Sequence, residues 1–207
     1  MTPAALLLAI AGGFAIGSLP FGVIVGRVFF HRDIRASGSG NIGAANALRT
    51  FGRAGGAAVL VLDLLKGFAP TAFALRVDPL VGVACAAAAI LGHCFSPWLR
   101  FRGGKGVATM LGALIAFSWE AAIAAVVIWL VAVRLTRYSS VASLAACASA
   151  PLWLWFATRN LDETLFGVAA ALFIVWTHRE NIERLRGGRE HTIGLRRQTA
   201  GSKTAPP

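Results

Sequence analysis

Long apolar runs that carry almost no charge recur along this chain, and they constrain its fold more than any other feature. They are interrupted by glycine, proline or charged residues and cover the first 26 residues, then 57–75, 80–99, 107–119, 121–133, 141–157 and 165–177. A helix needs about 20 apolar residues to cross the hydrocarbon core of a bilayer. We therefore expect an all-α integral membrane protein with about seven transmembrane helices.

The composition supports a membrane protein and excludes a water-soluble domain. Hydrophobic residues make up 57% of the 207 residues and charged residues 14%, whereas soluble domains carry about 25% charged residues. We expect residues 1–190 to form a single membrane-embedded domain and residues 191–207 to form a basic, flexible cytoplasmic tail. Because no Lys or Arg precedes Leu6, we expect the first run to be a retained helix rather than a signal peptide.

Basic residues are concentrated in alternate loops, which predicts the orientation of the chain. Of the 20 Lys and Arg residues, one (Lys66) lies inside a run, two (Arg76 and Arg159) lie in one set of loops, and the remaining 17 lie in the other set and the C-terminal segment. The positive-inside rule assigns the set of 17 to the cytoplasm. With seven spans, the N-terminus is then outside and the C-terminus cytoplasmic. The run 107–119 is short for a span, which leaves a tilted or re-entrant course open.

The net charge of +11 has two interpretations. In a soluble protein it would favour a nucleic-acid partner, because basic residues neutralise backbone phosphates. In a membrane protein, orientation and anionic ligands account for it, so we expect no nucleic-acid partner. The three cysteines, Cys85, Cys94 and Cys147, lie in apolar runs without the spacing of a metal site. We therefore expect no metal.

The first of three polar segments on the basic side is the stretch 37–49, which contains closely spaced glycines. Consecutive backbone N–H groups at a helix N-terminus form a concavity that binds anions. Ser39 adds a hydroxyl group, and Asn41 and Asn46 add amides. Arg49 offers two parallel donors that suit a phosphate. The pattern favours an anion site, and a polar turn before an ordinary helix is the open alternative.

The second polar segment, 92–106, ends in Gly-Gly-Lys-Gly. Lys105 among glycines resembles a nucleotide phosphate loop, but a Walker A motif needs Ser or Thr after the Lys and a Gly where this chain has Leu99. A nucleotide site is therefore excluded, whereas a mobile cation beside free amides suits another anionic substrate. His93, within the preceding helix, is either a helix contact or a ligand.

The third polar segment, 178–184, leaves the last apolar run. His178 and Asn181 are three residues apart, so on a continuing helix they share one face. A base with a neighbour that orients it is one interpretation. A juxtamembrane helix that touches lipid phosphates is the other. Glu183 points about 140° away from His178 around a helix, which argues against a relay between them.

Together, these segments resemble the bacterial glycerol-3-phosphate acyltransferases that use acyl phosphate as donor, the PlsY family. The resemblance covers nearly the whole chain. It is carried by the stretches 17–22 (GSLPFG), 37–49 (SGSGNIGAANALR), 63–67 (DLLKG), 92–108 (GHCFSPWLRFRGGKGVA), 136–138 (TRY) and 178–184 (HRENIER). One position departs from the family pattern: Gly-Ala-Thr-Asn is usual, and this chain has Ala45 where the family has Thr. A hydroxyl group expected to help hold phosphate is therefore absent.

The resemblance implies a multi-pass enzyme of the bacterial cytoplasmic (inner) membrane whose site faces the cytoplasm and needs no cofactor. It implies transfer of a fatty acyl group from acyl phosphate to the 1-hydroxyl of sn-glycerol 3-phosphate, which gives lysophosphatidic acid and phosphate in the first step of phospholipid synthesis. The expected partners are these two substrates and membrane lipid, and the expected state is a monomer. We expect the catalytic residues to be His178, Asn181, Lys105, Ser39 and Arg49. We expect the substrate or phosphate contacts to be Ser39, Gly40, Asn41, Asn46, Arg49, His93, Gly103, Gly104, Lys105 and Gly106.

The residue that accepts the hydroxyl proton is left open by the sequence. His178 is one candidate, and the oxygen of the acyl phosphate itself is the other. Cys94 is a poor nucleophile, because an apolar helix disfavours its thiolate. A His-x-x-x-x-Asp pair, used by another acyltransferase class, is absent from the chain.

A transporter of an organic phosphate is the rival class. Asp63 and Lys66, on one face of the second run, favour it slightly, because ionisable pairs at membrane depth often line pathways. Against it, we find no inverted internal repeat, and all three polar segments fall on one side.

Overall fold

The computed structural model describes residues 2–193 and is helical throughout its membrane-embedded part. The helices are α1 (Pro3–Gly17), α2 (Phe21–Phe30), α3 (Ala44–Leu75), α4 (Pro79–Cys94), α5 (Val107–Phe117), α6 (Trp119–Thr136), α7 (Ser139–Thr158), α8 (Leu161–Thr177) and α9 (Arg179–Arg186). Short 3₁₀ turns, Ile34–Ala36 and Pro97–Leu99, lie in the loops before α3 and α5. The predicted all-α membrane fold is confirmed.

Five segments within residues 2–193 are long and apolar enough to cross a bilayer. They are Pro3–Phe30, Ala44–Leu75, Pro79–Leu99, Trp119–Thr136 and Ser139–Thr158. A sixth is added if α8 and α9, which bend by 56° where they meet, count as one broken span.

The predicted count of seven spans depends on α5. The predicted run 107–119 forms a helix of 11 residues that ends at Phe117, and α6 begins at Trp119. At 1.5 Å per residue this helix is about 16 Å long, about half of the roughly 30 Å hydrocarbon core. The run is split because Ser118 caps α6, accepting a hydrogen bond from the Ala121 N–H at 3.1 Å. Seven spans therefore exceed the number that length and composition support in the described chain.

Helix α5 is held inside the bundle rather than against lipid. Its buried residues Met110 and Leu114 pack into the main core with Ile90 of α4, Leu154 of α7 and Ile174 of α8. On its other side α5 lies directly against α3, where a Cβ atom on Gly67 would collide with the Thr109 carbonyl. This close approach brings the start of α5 beside the middle of α3.

Large apolar side chains cover the outside of the bundle. Leu8, Phe73, Leu135 and Leu172 are exposed, whereas the core contains many alanines, such as Ala86 and Ala113. Apolar faces outside and small residues inside are typical of helices packed within lipid. The protein is therefore a multi-pass membrane protein.

The beginning of the predicted tail is attached to the bundle. Thr192 pairs with Tyr138 in an isolated antiparallel β-bridge. The Ile193 N–H donates to the Arg137 carbonyl at 2.7 Å. Thr192 and Ile193, at the start of the predicted tail, thus contact the turn between α6 and α7, and residues 194–207 lie outside the described residues.

Candidate active site

One cavity of about 370 Å³ lies between α3, α5, α6 and α7, is closed by residues that follow α8, and has two ends that differ in character. The polar end is lined by Ser39, Asn41, Arg49, Lys105, His178, Asn181 and Glu190. The apolar end is lined by Leu111, Leu114, Val126, Trp129, Ala146 and Cys147. An anionic group and an aliphatic chain can therefore occupy the same cavity.

The first polar segment is organised by the side chain of Asn46. Its Oδ1 accepts a hydrogen bond from the Ser39 N–H at 2.9 Å. Its Nδ2 donates to the carbonyls of Ile34, Ser37 and Asn41 at 3.2, 3.0 and 2.8 Å. Asn46 is buried and its amide is fully used, so its contacts shape the loop that presents Ser39.

A break in α3 sets the position of Arg49. Gly52 has φ of 75°, a conformation that glycine adopts without the steric cost of a side chain. The break separates the first two turns of α3, which carry Asn46 and Arg49, from the long apolar remainder. Nε of Arg49 is buried and has no hydrogen-bond partner within residues 2–193. It is available for an anionic ligand.

The second polar segment reaches the cavity through Lys105. The N–H groups of Gly103 and Gly104 donate to the carbonyls of Cys94 and His93 at 2.9 and 3.0 Å. The Lys105 ammonium donates to Oδ1 of Asn181. Burial, reinforced by the nearby Arg184 charge, lowers the pKa of Lys105 to about 8. An anion bound nearby would stabilise the charged form of Lys105.

His178 lies in the turn between α8 and α9 and faces the cavity. Its Nδ1 is 2.8 Å from the Ile174 carbonyl oxygen. Because a carbonyl only accepts, Nδ1 carries the proton in the neutral ring and Nε2 holds the lone pair. His178 and Asn181 both line the cavity, so the structure brings together the pair that the sequence places on one face.

Glu190 joins the site although no sequence pattern drew attention to it. It accepts hydrogen bonds from Asn181 at 2.6 Å and from Arg184 at 2.8 Å. Although partial burial opposes ionisation, these hydrogen bonds lower the pKa of Glu190. The available signal was the Gly187-Gly188 pair after α9, where Gly188 has φ of 63° and turns the chain back toward the cavity.

A buried cluster of Asp63, Lys66 and His93 contributes to the wall of the cavity. The Lys66 ammonium is 2.9 Å from Oδ1 of Asp63 and donates to the Leu19 carbonyl at 2.8 Å. Nδ1 of His93 is 3.7 Å from the same Asp63 oxygen. Asp63 and His93 line the cavity. Asp63 and Lys66 lie on one face of α3, as predicted. The third member of the cluster, His93, comes from α4.

Most of the predicted site residues meet at this cavity. Those that line it are Ser39, Asn41, Asn46, Arg49, His93, Lys105, Gly106, His178 and Asn181. Gly40 and Gly103 line an adjoining open groove of about 910 Å³ instead, and Gly104 lies behind, against the His93 ring. Glu190 and the hydroxyl-bearing residues Ser139, Ser140 and Ser143 also line the cavity, and none of them is among the predicted site residues.

The adjoining groove connects the polar end of the cavity with the protein surface. The two share Ser39, Asn41 and Lys105. The groove is further lined by Arg35, Arg100, Arg102 and Arg184, against two acidic residues, Asp33 and Glu180. An excess of positive charge along an open route raises the local concentration of anions.

Comparisons with known proteins agree with this geometry. The family model described as glycerol-3-phosphate acyltransferase matches residues 7–188. A glycerol-3-phosphate acyltransferase of Nitrobacter winogradskyi is 46% identical over 191 residues, covering 92% of this chain and 97% of the relative. One of Synechococcus sp. (strain JA-3-3Ab) is 43% identical over 189 residues, covering 91% and 93%.

Two crystal structures of PlsY (YgiH), described as an integral membrane glycerol 3-phosphate acyltransferase, have the same fold. The glycerol 3-phosphate form superposes with a TM-score of 0.87 at 36% identity, covering 91% of this chain and 96% of that one. The lysophosphatidic acid form superposes with a TM-score of 0.84 at 35% identity, covering 91% and 95%. Across nearly its whole length, this chain therefore belongs to the PlsY family of glycerol-3-phosphate acyltransferases.

Proposed function

We propose that this protein transfers a fatty acyl group from acyl phosphate to the 1-hydroxyl of sn-glycerol 3-phosphate. The products are lysophosphatidic acid and inorganic phosphate, and the reaction is the first step of bacterial phospholipid synthesis. The observation that carries the proposal is a single cavity with cationic groups at one end and an apolar lining at the other. A PlsY relative has crystal structures in a glycerol 3-phosphate form and a lysophosphatidic acid form.

The reaction needs charge neutralisation and alignment more than covalent help from the protein. The 1-hydroxyl oxygen attacks the acyl carbon, the bond between that carbon and the phosphate oxygen breaks, and the hydroxyl proton leaves with the phosphate. Both reactants are anionic, so Arg49 and Lys105 lower the repulsion between them. Ser39, Gly40 and Asn41 add hydrogen bonds to phosphate.

We assign His178 and Asn181 to the glycerol end of the substrate. The Nε2 lone pair of His178 can accept a hydrogen bond from a substrate hydroxyl. We favour the acyl phosphate oxygen as the proton acceptor, with His178 as a substrate-binding group. On this assignment His178→Ala raises the KM for glycerol 3-phosphate and preserves the maximal rate. A collapse of the maximal rate by about two to four decades at unchanged KM would instead identify His178 as the general base.

We propose direct transfer, without an acyl-enzyme. Cys94, the candidate nucleophile in the second segment, is buried in α4 and is not among the residues that line the cavity. Cys147 lines the apolar end, where a donor chain would lie. A Cys94→Ala enzyme should therefore keep its activity.

We further propose an inner-membrane monomer with seven spans, an external N-terminus and a site that opens to the cytoplasm. The distribution of 17 against two basic residues supports this orientation, with α5 as a short seventh crossing. Cysteines introduced near Asp78 and Asp162 should react with impermeant thiol reagents outside intact cells, and those near Arg53 should not.

The decisive experiment supplies purified, detergent-solubilised protein with radiolabelled glycerol 3-phosphate and acyl phosphate. Labelled lysophosphatidic acid and release of phosphate are expected without any sealed membrane, which a transporter could not produce. Acyl-CoA in place of acyl phosphate tests the donor: equal turnover with both would contradict the acyl-phosphate assignment while leaving acylation of glycerol 3-phosphate intact.

A further inference from the structure

We propose that His93 is a positioning residue for Lys105: its imidazole, buried beside Asp63, supports Gly104 and so fixes where the Lys105 ammonium enters the cavity. The inference rests on the proposed function. It gives a role to the buried Asp63–Lys66–His93 cluster, which the chemistry above does not use.

The cluster provides a rigid base for the imidazole. Asp63, Lys66 and His93 are 1%, 3% and 4% exposed, so water does not compete for their contacts. The Lys66 ammonium connects Asp63 of α3 to the Leu19 carbonyl in the turn between α1 and α2. Nδ1 of His93, on α4, lies 3.7 Å from Oδ1 of Asp63, an electrostatic contact longer than a hydrogen bond. The buried cluster therefore bounds the imidazole on one side, and Nδ1 has no hydrogen-bond partner within residues 2–193.

The opposite edge of the ring contacts the loop before α5, which carries Lys105. A Cβ atom on Gly104 would collide with Nε2 of His93, so this position accommodates glycine alone while the imidazole stays in place. The Gly104 N–H also donates to the His93 carbonyl at 3.0 Å. Both the ring and the backbone of His93 thus contact the residue directly before Lys105.

The loop needs such support because its own conformation is unfavourable. Arg100 and Phe101 both have positive φ, 53° and 61°, a region that costs energy for residues with a side chain. The loop is otherwise held by the backbone hydrogen bonds of Gly103 and Gly104 to α4. In addition, the Thr177 hydroxyl donates to the Lys105 carbonyl at 3.1 Å. Without the imidazole, the support beneath Gly104 is lost and the ammonium is free to move away from Asn181.

A double-mutant cycle tests whether His93 acts through Lys105. We compare wild type, His93→Ala, Lys105→Ala and the double variant by kcat/KM for glycerol 3-phosphate. His93→Ala should lower kcat/KM by up to about 100-fold, the cost of a misplaced group. The double variant should be no worse than Lys105→Ala alone. Effects that multiply in the double variant would overturn the proposal, because His93 would then act independently of Lys105.

Two conservative variants separate the two edges of the ring. His93→Gln places an amide near the position of Nε2, beneath Gly104, whereas His93→Asn places one near Nδ1, beside Asp63. Support of Gly104 predicts that His93→Gln retains more activity than His93→Asn, and the reverse order would contradict it. Gly104→Ala should be strongly impaired in the wild-type background and less impaired when His93 is Ala, because the collision is removed.

A matched control separates positioning from loss of stability. Val81→Ala truncates another buried residue of α4, 1% exposed, at the end remote from the loop. It should lower the melting temperature without changing kcat/KM. If the wild type fails to acylate glycerol 3-phosphate at all, the proposed function fails. The same four-variant cycle, measured as Kd for glycerol 3-phosphate by calorimetry, then decides the His93 inference alone.

Discussion

The two loops to which we assign phosphate binding are held in opposite ways. The loop before α3 is organised from within: Asn46 alone joins one N–H and three carbonyl groups of residues 34–41. The loop before α5 is supported from outside, by the end of α4, by Thr177 of α8 and by the His93 ring. The first loop therefore depends on one side chain, and the second depends on the packing of the whole bundle.

The largest expected effect comes from removing the internal support of the first loop. Asn46→Leu keeps a similar volume but removes four hydrogen bonds and leaves the Ser39 N–H and the Asn41 carbonyl without partners, whereas the Ile34 and Ser37 carbonyls still accept from the Ser37 and Gly40 N–H groups. Each unpaired buried group costs about 1–3 kcal/mol, so we expect kcat/KM to fall by about two decades or more and the melting temperature to drop. Activity within tenfold of wild type would show that the first loop, like the second, is held by its surroundings.

The next effect compares the cations of the two loops. Arg49→Ala and Lys105→Ala each remove a charge-assisted contact worth roughly 1.5–3 kcal/mol, which is about one to two decades in kcat/KM. Arg53 is an exposed arginine four residues after Arg49 and beyond the break at Gly52, so Arg53→Ala is the matched control and should be unaffected. Near-normal turnover in both site variants would refute the assignment of these loops to phosphate.

The pH dependence of kcat/KM should also distinguish the two loops, with a smaller effect. Because Lys105 must be protonated to bind an anion and its pKa is lowered to about 8, kcat/KM should fall as pH rises through about 8, by about tenfold per unit beyond it. Arg49 does not titrate in this range, so the first loop contributes no such fall. In Lys105→Arg the alkaline decline should disappear, and a wild-type profile flat to pH 9.5 would contradict the prediction.

The smallest effect concerns Ala45, which lines the cavity in the first loop. Ala45→Thr restores the hydroxyl group typical of the family, and a neutral hydrogen bond of about 0.5 kcal/mol should lower the KM of one phosphate substrate about two- to threefold. Ala45→Val adds the same bulk without the hydroxyl group and should give no gain. Equal KM values in the two variants would mean that position 45 does not contact phosphate.

The same contrast explains how far the sequence could be interpreted. The three polar segments could be predicted because their composition differs from that of the apolar runs. The charge pattern also predicted that all three lie on the same side of the membrane. The role of Asn46 was only partly predictable, because an amide that binds anions and one that binds its own loop share the same sequence pattern. The contacts of His93 with Gly104 and of Glu190 with Asn181 depend on how the chain folds back on itself. The Gly187-Gly188 pair indicates a turn before Glu190 but not the residue that Glu190 contacts. The shortness of α5 depends on one serine that caps the next helix.

The walls of the cavity come from almost the whole length of the chain, from Ser39 in the first loop to Glu190 after the last helix. At about 5–20 residues per second, a ribosome takes on the order of ten seconds to make the residues between them. During that interval the early helices can enter the membrane, but Lys105 has neither Asn181 nor Glu190 beside it. On the proposed assignment of the site, a nascent or prematurely terminated chain can therefore be inserted without being an enzyme, because the final residues of the described chain complete the site.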